Sequence, residues 1–216
     1  MYSKFVLAAL FLVAAMPIYS QSKPAAIESV WRANVGGGVS DFHTDFYGPG
    51  EMQGITAWVD LFPNRGPKLT QGFGLEMEGH DISFGGPQPP AALSSGMTVT
   101  REDTFGGGPM YEWRHFKRFI PYGKFLWEQG SIDFNVGVPN YKHDNRSLYE
   151  GGAGFNYRLV HHIAIRGEFD YQFWQRLFQN HAVTTPTGIV LEPRGATLGA
   201  TYEFDRFHLK GRVKEQ

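Results

Sequence analysis

With 216 residues, no cysteine and a net charge of −1, the chain has room for one domain or a small pair. It has no thiol for a disulfide or a thiolate metal site, and no basic field for nucleic acid. Its 27 glycines and 15% aromatic residues, against only 19% charged, depart from a soluble enzyme, where glycine is nearer ~7%.

The chain opens on Lys4, an unbroken apolar run over residues 5–15, then Pro17 and the small Ser20. Residues 1–20 therefore read as a secretory signal peptide, cleaved before Gln21. Eleven apolar residues fall short of the ~20 that a helix needs to cross ~30 Å of hydrocarbon. Residues 21–29 read as a short N-terminal extension.

Period-two alternation then recurs to residue 204, in eight segments. Residues 31–40 set Trp31, Ala33, Val35 and Val39 against Arg32, Asn34 and Ser40. Residues 54–62 set Ile55, Ala57, Val59 and Leu61 against Thr56, Trp58 and Asp60. Residues 71–79 set Phe73, Leu75 and Met77 against Glu76 and Glu78. In 104–114, Phe105, Tyr111 and Trp113 oppose Glu112 and Arg114, and in 119–129 Phe125 and Trp127 oppose Lys124 and Glu128. Residues 149–159 set Phe155, Tyr157 and Leu159 against Glu150, Asn156 and Arg158. Residues 163–174 set Ile163, Ile165, Phe169, Tyr171 and Phe173 against Arg166, Glu168, Asp170 and Gln172. The last segment, 196–204, sets Leu198, Ala200, Tyr202 and Phe204 against Thr197, Thr201 and Glu203. Tight turns at 63–67, 115–118 and 160–162 alternate with long connectors at 41–52, 80–103, 130–148 and 175–195.

Segments of about nine to eleven residues, with short turns at one end and long loops at the other, suit strands tilted across a bilayer. One face of each segment is too charged for a dry core, and backbone polar groups in hydrocarbon must all be paired. The predicted fold is therefore all-β: a closed antiparallel transmembrane β-barrel of about eight strands over residues 30–204, with 205–216 as a polar C-terminal tail. Arg32, Asp60, Glu76, Glu78, Glu112, Arg114 and Lys124 are expected to face the lumen. So are Glu128, Glu150, Arg158, Arg166, Glu168, Asp170 and Glu203, all paired into one hydrated charge network. Trp31, Tyr111, Trp113, Trp127, Tyr157, Tyr171 and Tyr202 are expected to form aromatic girdles at the two lipid–water boundaries.

The stretches Asp103-Thr-Phe-Gly-Gly-Gly-Pro-Met-Tyr111, Gly151-Gly-Ala-Gly-Phe-Asn-Tyr157 and Ala196-Thr-Leu-Gly-Ala-Thr-Tyr-Glu-Phe204 resemble strands of OmpA-like, porin-family outer-membrane β-barrels. The resemblance spans almost all of the chain after the leader. It implies a place in the Gram-negative cell envelope, with outer-membrane lipid and the barrel-assembly machinery as partners. It also implies a terminal aromatic read by that machinery: Phe204 is in that place, with Phe207 or an internal motif as the alternatives because a tail follows it.

The glycine runs precede no helix, so they are not phosphate loops, and His161-His162 sit in a turn where successive side chains diverge. The pairs His43/Asp45, His80/Asp81 and His143/Asp144 are read as lying in or beside the long loops, without repeated ligand spacing. No metal and no cofactor are expected. A lipid A acyl enzyme would draw on His181 with Ser94, Ser95, Ser131 or Ser147, but none of these serines sits in a nucleophile turn, so no catalytic residue is assigned and no enzyme is expected. The expected function is a structural or surface-interaction barrel displaying long outer loops. The alternatives are a narrow ion or solute channel, then the acyl enzyme, then a soluble periplasmic β-barrel binder.

Overall fold

Alternation of the kind found over 31–204 gives each strand two unlike faces, and a computed structural model of the chain shows how they are used. The structure describes residues 31–44, 50–63, 70–84, 99–134, 143–177 and 189–207. The leader at 1–20, the extension at 21–29 and the residues after 207 lie outside these.

The strands are β1 (Trp31–Thr44), β2 (Gly50–Pro63), β3 (Phe73–Phe84), β4 (Val99–Glu112) and β5 (Phe119–Phe134), then β6 (His143–Val160), β7 (Ile163–Leu177), β8 (Ile189–Leu191) and β9 (Arg194–Phe207). Neighbours from β1 to β7 pair antiparallel in sequence order, β7 pairs with β9, and β9 returns to β1 with Val39 opposite Leu198 and Trp31 opposite Phe207. Eight strands thus form a closed wall without a free edge, as backbone in hydrocarbon requires. The three-residue β8 extends the β9 position at the loop end, pairing Leu191 with Trp174. The two are separated at Pro193, which has no N–H for the ladder but whose carbonyl accepts from the Gln172 N–H at 2.8 Å.

Closure forces large side chains into a narrow lumen, and inward glycines make room for them. A side chain at Gly36 would meet the Trp58 ring at 2.4 Å, and one at Gly199 would meet it from the opposite side of β1 at 2.5 Å. Trp58 therefore lies flat across the bore, donating its indole N–H to Thr201 Oγ1 at 3.2 Å.

The outward face changes character along the barrel. From the turn end it is apolar, with Val39, Ile55, Phe105, Phe125, Trp127, Phe169 and Leu198 all more than half exposed. About nine residues per strand at ~3.3 Å each, tilted by ~40°, span ~23 Å, close to the ~25 Å band of an outer-membrane barrel. Past Val39, Ile55, Gly79, Phe105 and Trp127 the next outward residues are Asp41, Gln53, Asp81, Asp103 and Gln129.

At that line the inward face changes in the opposite sense. Phe42, Met52, Ile82, Val99, Ile132, Leu148, Trp174 and Leu191 form one buried apolar cluster inside the loop-end rim. Below the line the barrel is greasy outside and charged inside. Above it the same strands are polar outside and greasy inside, as in a water-soluble barrel.

This corrects the connectors. The segments expected as loops at 41–52, 80–103, 130–148 and 175–195 are in part strand, because alternation carries on in phase while polarity reverses. Residues 41–44, 50–52, 80–84, 99–103, 130–134, 143–148, 175–177, 189–191 and 194–195 are wall, not loop. The wall also runs three residues past Phe204, to Phe207.

Candidate functional site: a sealed lumen

The even-numbered residues of β1 to β7 point inward with few exceptions, so each strand delivers a column of polar side chains to the bore. These columns build three layers from the turn end to the loop end.

The first layer closes the turn-end mouth. Arg32 Nη2 donates to Glu112 Oε2 at 2.7 Å, and Arg114 reaches the same oxygen through Nε at 2.9 Å and Nη2 at 2.7 Å. Both guanidinium groups lie over the Phe62 ring, at 4.3 and 5.2 Å. Arg158 grips Glu203 bidentately, with Nε 3.0 and 2.8 Å from its two oxygens. Of the side chains expected in the lumen, Arg114 and Arg158 are the departures. Arg114 stands in the turn after β4, Arg158 near the end of β6, and their side chains are 31% and 33% exposed. Strand ends open to water there, and long arginine stems fold back over the mouth.

The second layer is a dry ion cluster around two cations. Lys124 Nζ lies 2.8 Å from Glu168 Oε1, 3.0 Å from Glu150 Oε1, 3.1 Å from Asp170 Oδ1 and 3.4 Å from Glu76 Oε1, and it also donates to Glu78. Arg166 donates to Glu76 at 2.7 Å, to Asp60 at 3.4 Å and to Glu168. Its guanidinium is sandwiched between the Trp58 and Tyr122 rings, 4.5 Å from each, while the Tyr122 hydroxyl donates to Glu168. Glu128 is buried at the top of this layer.

The third layer is the apolar plug described above. Together the layers leave the bore filled by side chains, as expected for a barrel of eight strands.

Several lumen residues were not picked out from the sequence. His80, expected in or beside the loop beginning at 80, is instead buried on β3, two residues beyond Glu78 on the same face. Glu102 on β4 is likewise buried in line with Thr104. Extending the phase of Glu76–Glu78 and Thr104 by one more step reaches both. Ser131 and Ser147, considered as loop serines, sit on the outer wall of β5 and β6, where Gln129 Nε2 donates to Ser147 Oγ at 2.7 Å. Ser94, Ser95 and His181 lie outside the described residues.

Outside, the aromatics fall in two groups. Trp31, Tyr111, Trp113, Tyr157 and Tyr202 gather at the turn end, with the Tyr111 and Trp113 rings 4.9 Å apart and Tyr202 4.7 Å from Phe204. Trp127 and Tyr171 stand midway along their strands, because β5 and β7 continue beyond the lipid band. Tyr149 joins them, stacked on Phe125 at 5.9 Å.

No family model and no curated protein matches the chain. Solved structures do. Ail, the attachment invasion locus protein of Yersinia pestis, in complex with the heparin analogue sucrose octasulfate, superposes with a TM-score of 0.52 at 13% identity, covering 81% of this chain and 99% of that one. Neisserial surface protein A superposes with a TM-score of 0.52 at 8% identity, covering 82% of this chain and 98% of that one. What the chain shares with them is the fold, a small closed barrel of the outer-membrane type.

Proposed function

We propose that this chain is exported through a leader cleaved after Ser20 and inserted into the bacterial outer membrane by the barrel-assembly machinery, with Phe204 as the recognised aromatic. There it serves as a structural, surface-interaction barrel. Its partners are outer-membrane lipid around the apolar band and molecules met by the protruding rim and loops. It carries out no catalysis and binds no nucleic acid.

The observation that carries this reading is the plug. Eight apolar side chains, from Phe42 to Leu191, close the bore on the loop side above an ion cluster in which both cations, Lys124 and Arg166, are held by several carboxylates. A solute passing through would have to displace packed Trp174 and then separate charges in a dry medium, so a resting conduit has no path. The outer rim, by contrast, is polar and laced by surface ion pairs. Arg101 bridges Asp81 at 3.3 Å and Asp103 at 3.0 Å, and His143 meets Asp133 at 2.7 Å. Strands that stand above the membrane carry this rim clear of the lipid headgroups.

Two measurements test this. An epitope inserted between residues 85 and 98 should be labelled on intact cells, and the purified barrel in planar bilayers should give no stable conductance steps. Labelling only after the outer membrane is breached would overturn surface display. Regular open-channel steps would overturn the closed lumen in favour of a channel.

A further inference from the structure

His80 has an unusual pair of neighbours for a buried histidine. Its Nδ1 lies 2.7 Å from Thr56 Oγ1, a hydroxyl that also meets Ser40 Oγ, which in turn lies 2.8 Å from Thr197 Oγ1. Its Nε2 lies 3.2 Å from Glu78 Oε1 and 3.2 Å from Glu150 Oε2, and all three side chains are completely buried. The other oxygens of the two glutamates are engaged by Lys124, Glu150 Oε1 at 3.0 Å, while Gln172 Nε2 donates to Glu150 Oε2 at 3.1 Å. His80 Nε2 and Glu78 Oε1 are left without a hydrogen-bond partner.

Two more carboxylates face the same place. Glu128 on β5 is the diagonal neighbour of Glu150 on β6, and Glu102 on β4 is the diagonal neighbour of His80 on β3. Both are buried within electrostatic reach of Glu150, and although Gln172 and Trp174 approach Glu102 and Thr104 approaches Glu128, no oxygen of either carboxylate receives a well-formed hydrogen bond. Lys124 already serves five carboxylates and Arg166 four, so the cations of the ion cluster are committed elsewhere. Orphaned carboxylates in a dry site are costly unless a cation or a proton satisfies them.

We propose that the upper lumen is a binding site for one divalent transition-metal ion of the zinc class. Its ligands are His80 Nε2, Glu78 Oε1 and Glu150 Oε2, with Glu102 and Glu128 as candidates for the remaining position. An imidazole nitrogen with carboxylate oxygens suits zinc and its neighbours better than magnesium or calcium, which take oxygen alone. Ligands ~2.0–2.1 Å from a tetrahedral zinc stand about 3.3 Å from one another, close to the spacing found between His80 Nε2 and each glutamate oxygen. A proton on Nδ1, donated to Thr56, would fix the tautomer that leaves Nε2 free to coordinate, the usual outer-shell arrangement of a metal-bound histidine. The plug above and the charged layers below would keep such an ion from exchanging, so it is acquired as the barrel folds. The alternative occupant is a proton, which would make His80 an imidazolium paired with both glutamates.

The test is refolding of residues 21–216 into detergent with zinc chloride or magnesium chloride, removal of free metal, and metal content by mass spectrometry. A gel shift between unboiled and boiled samples verifies folding of each preparation. The folded wild type and Glu203→Gln, altered only at the mouth, should retain about one zinc and no magnesium, and His80→Gln and Glu150→Gln should retain about tenfold less zinc or none. Folded wild type without zinc, or folded His80→Gln with as much zinc as wild type, would overturn the site. If the variants do not fold, the 15N resonances of His80 in wild type decide. A zinc-dependent shift of Nε2 is expected, and an imidazolium pattern indifferent to zinc would refute the proposal.

Discussion

Trp174 occupies the space that a side chain at Gly130 would need: a Cβ there would stand 2.2 Å from Trp174 Cη2, with Leu148 Cδ2 only 2.8 Å away on the other side. The two residues lie on β7 and β5, and meet across β6 because the wall is closed and narrow. The indole is anchored by its N–H, which donates to Gln172 Oε1 at 3.0 Å. Gly130→Val should therefore unseat Trp174 and cost about 1–3 kcal/mol of folding stability, as overpacked cores do. Urea unfolding of the refolded barrel would measure this, and the near-ultraviolet circular dichroism of Trp174 should weaken in parallel. The lipid-facing Gly151, where a Cβ meets nothing within 4 Å, is the control: Gly151→Ala should be near neutral.

The dry and wet ion pairs should respond differently. Lys124→Met would leave five buried carboxylates without their shared cation, and removal of one partner from such a cluster costs about 3–5 kcal/mol. Arg158→Ala at the mouth removes a partner whose side chain is one-third exposed and leaves the buried Glu203 carboxylate next to the water at the strand ends, so its effect should stay at about 1–2 kcal/mol. Equal losses in the two variants, measured by the same unfolding transition, would contradict the layered lumen.

A third contrast lies on the outer wall. Phe169, 55% exposed, is assigned to the lipid band, and Ser131 to the part of the wall above it. Phe169→Arg should cost about 2–4 kcal/mol in a bilayer, whereas Ser131→Arg should stay within ~0.5 kcal/mol. Refolding yield into lipid vesicles and the midpoint of denaturant unfolding both read the difference.

The eight-stranded wall and its lipid face were legible in the sequence because period-two alternation survives any environment. Phe169, Tyr171 and Phe173 against Glu168, Asp170 and Gln172 admit only one assignment of faces once the charges are required to be inside. The rim was not legible by the same rule. In Asp41-Phe42-His43 or Glu51-Met52-Gln53 the alternation is intact but the sign is reversed, and a template that seeks apolar residues outward reads such stretches as loop. The reversal is physical: once a strand leaves hydrocarbon its outer face meets water, and its inner face needs a core of its own. The joining of His80 to Glu150 was out of reach for another reason. They are brought together by register and curvature across the bore, which no spacing along the chain encodes.

The reversal of polarity along β5 is the most direct test. Nitroxide labels placed singly at residues 125, 127, 131 and 133 of the barrel in lipid vesicles can be compared for collision with oxygen, which concentrates in hydrocarbon, and with a water-soluble nickel complex. The account predicts oxygen accessibility at 125 and 127, nickel accessibility at 131 and 133, and a switch between Trp127 and Ser131. Nickel accessibility at 125 and 127, or continued lipid exposure at 131 and 133, would contradict it.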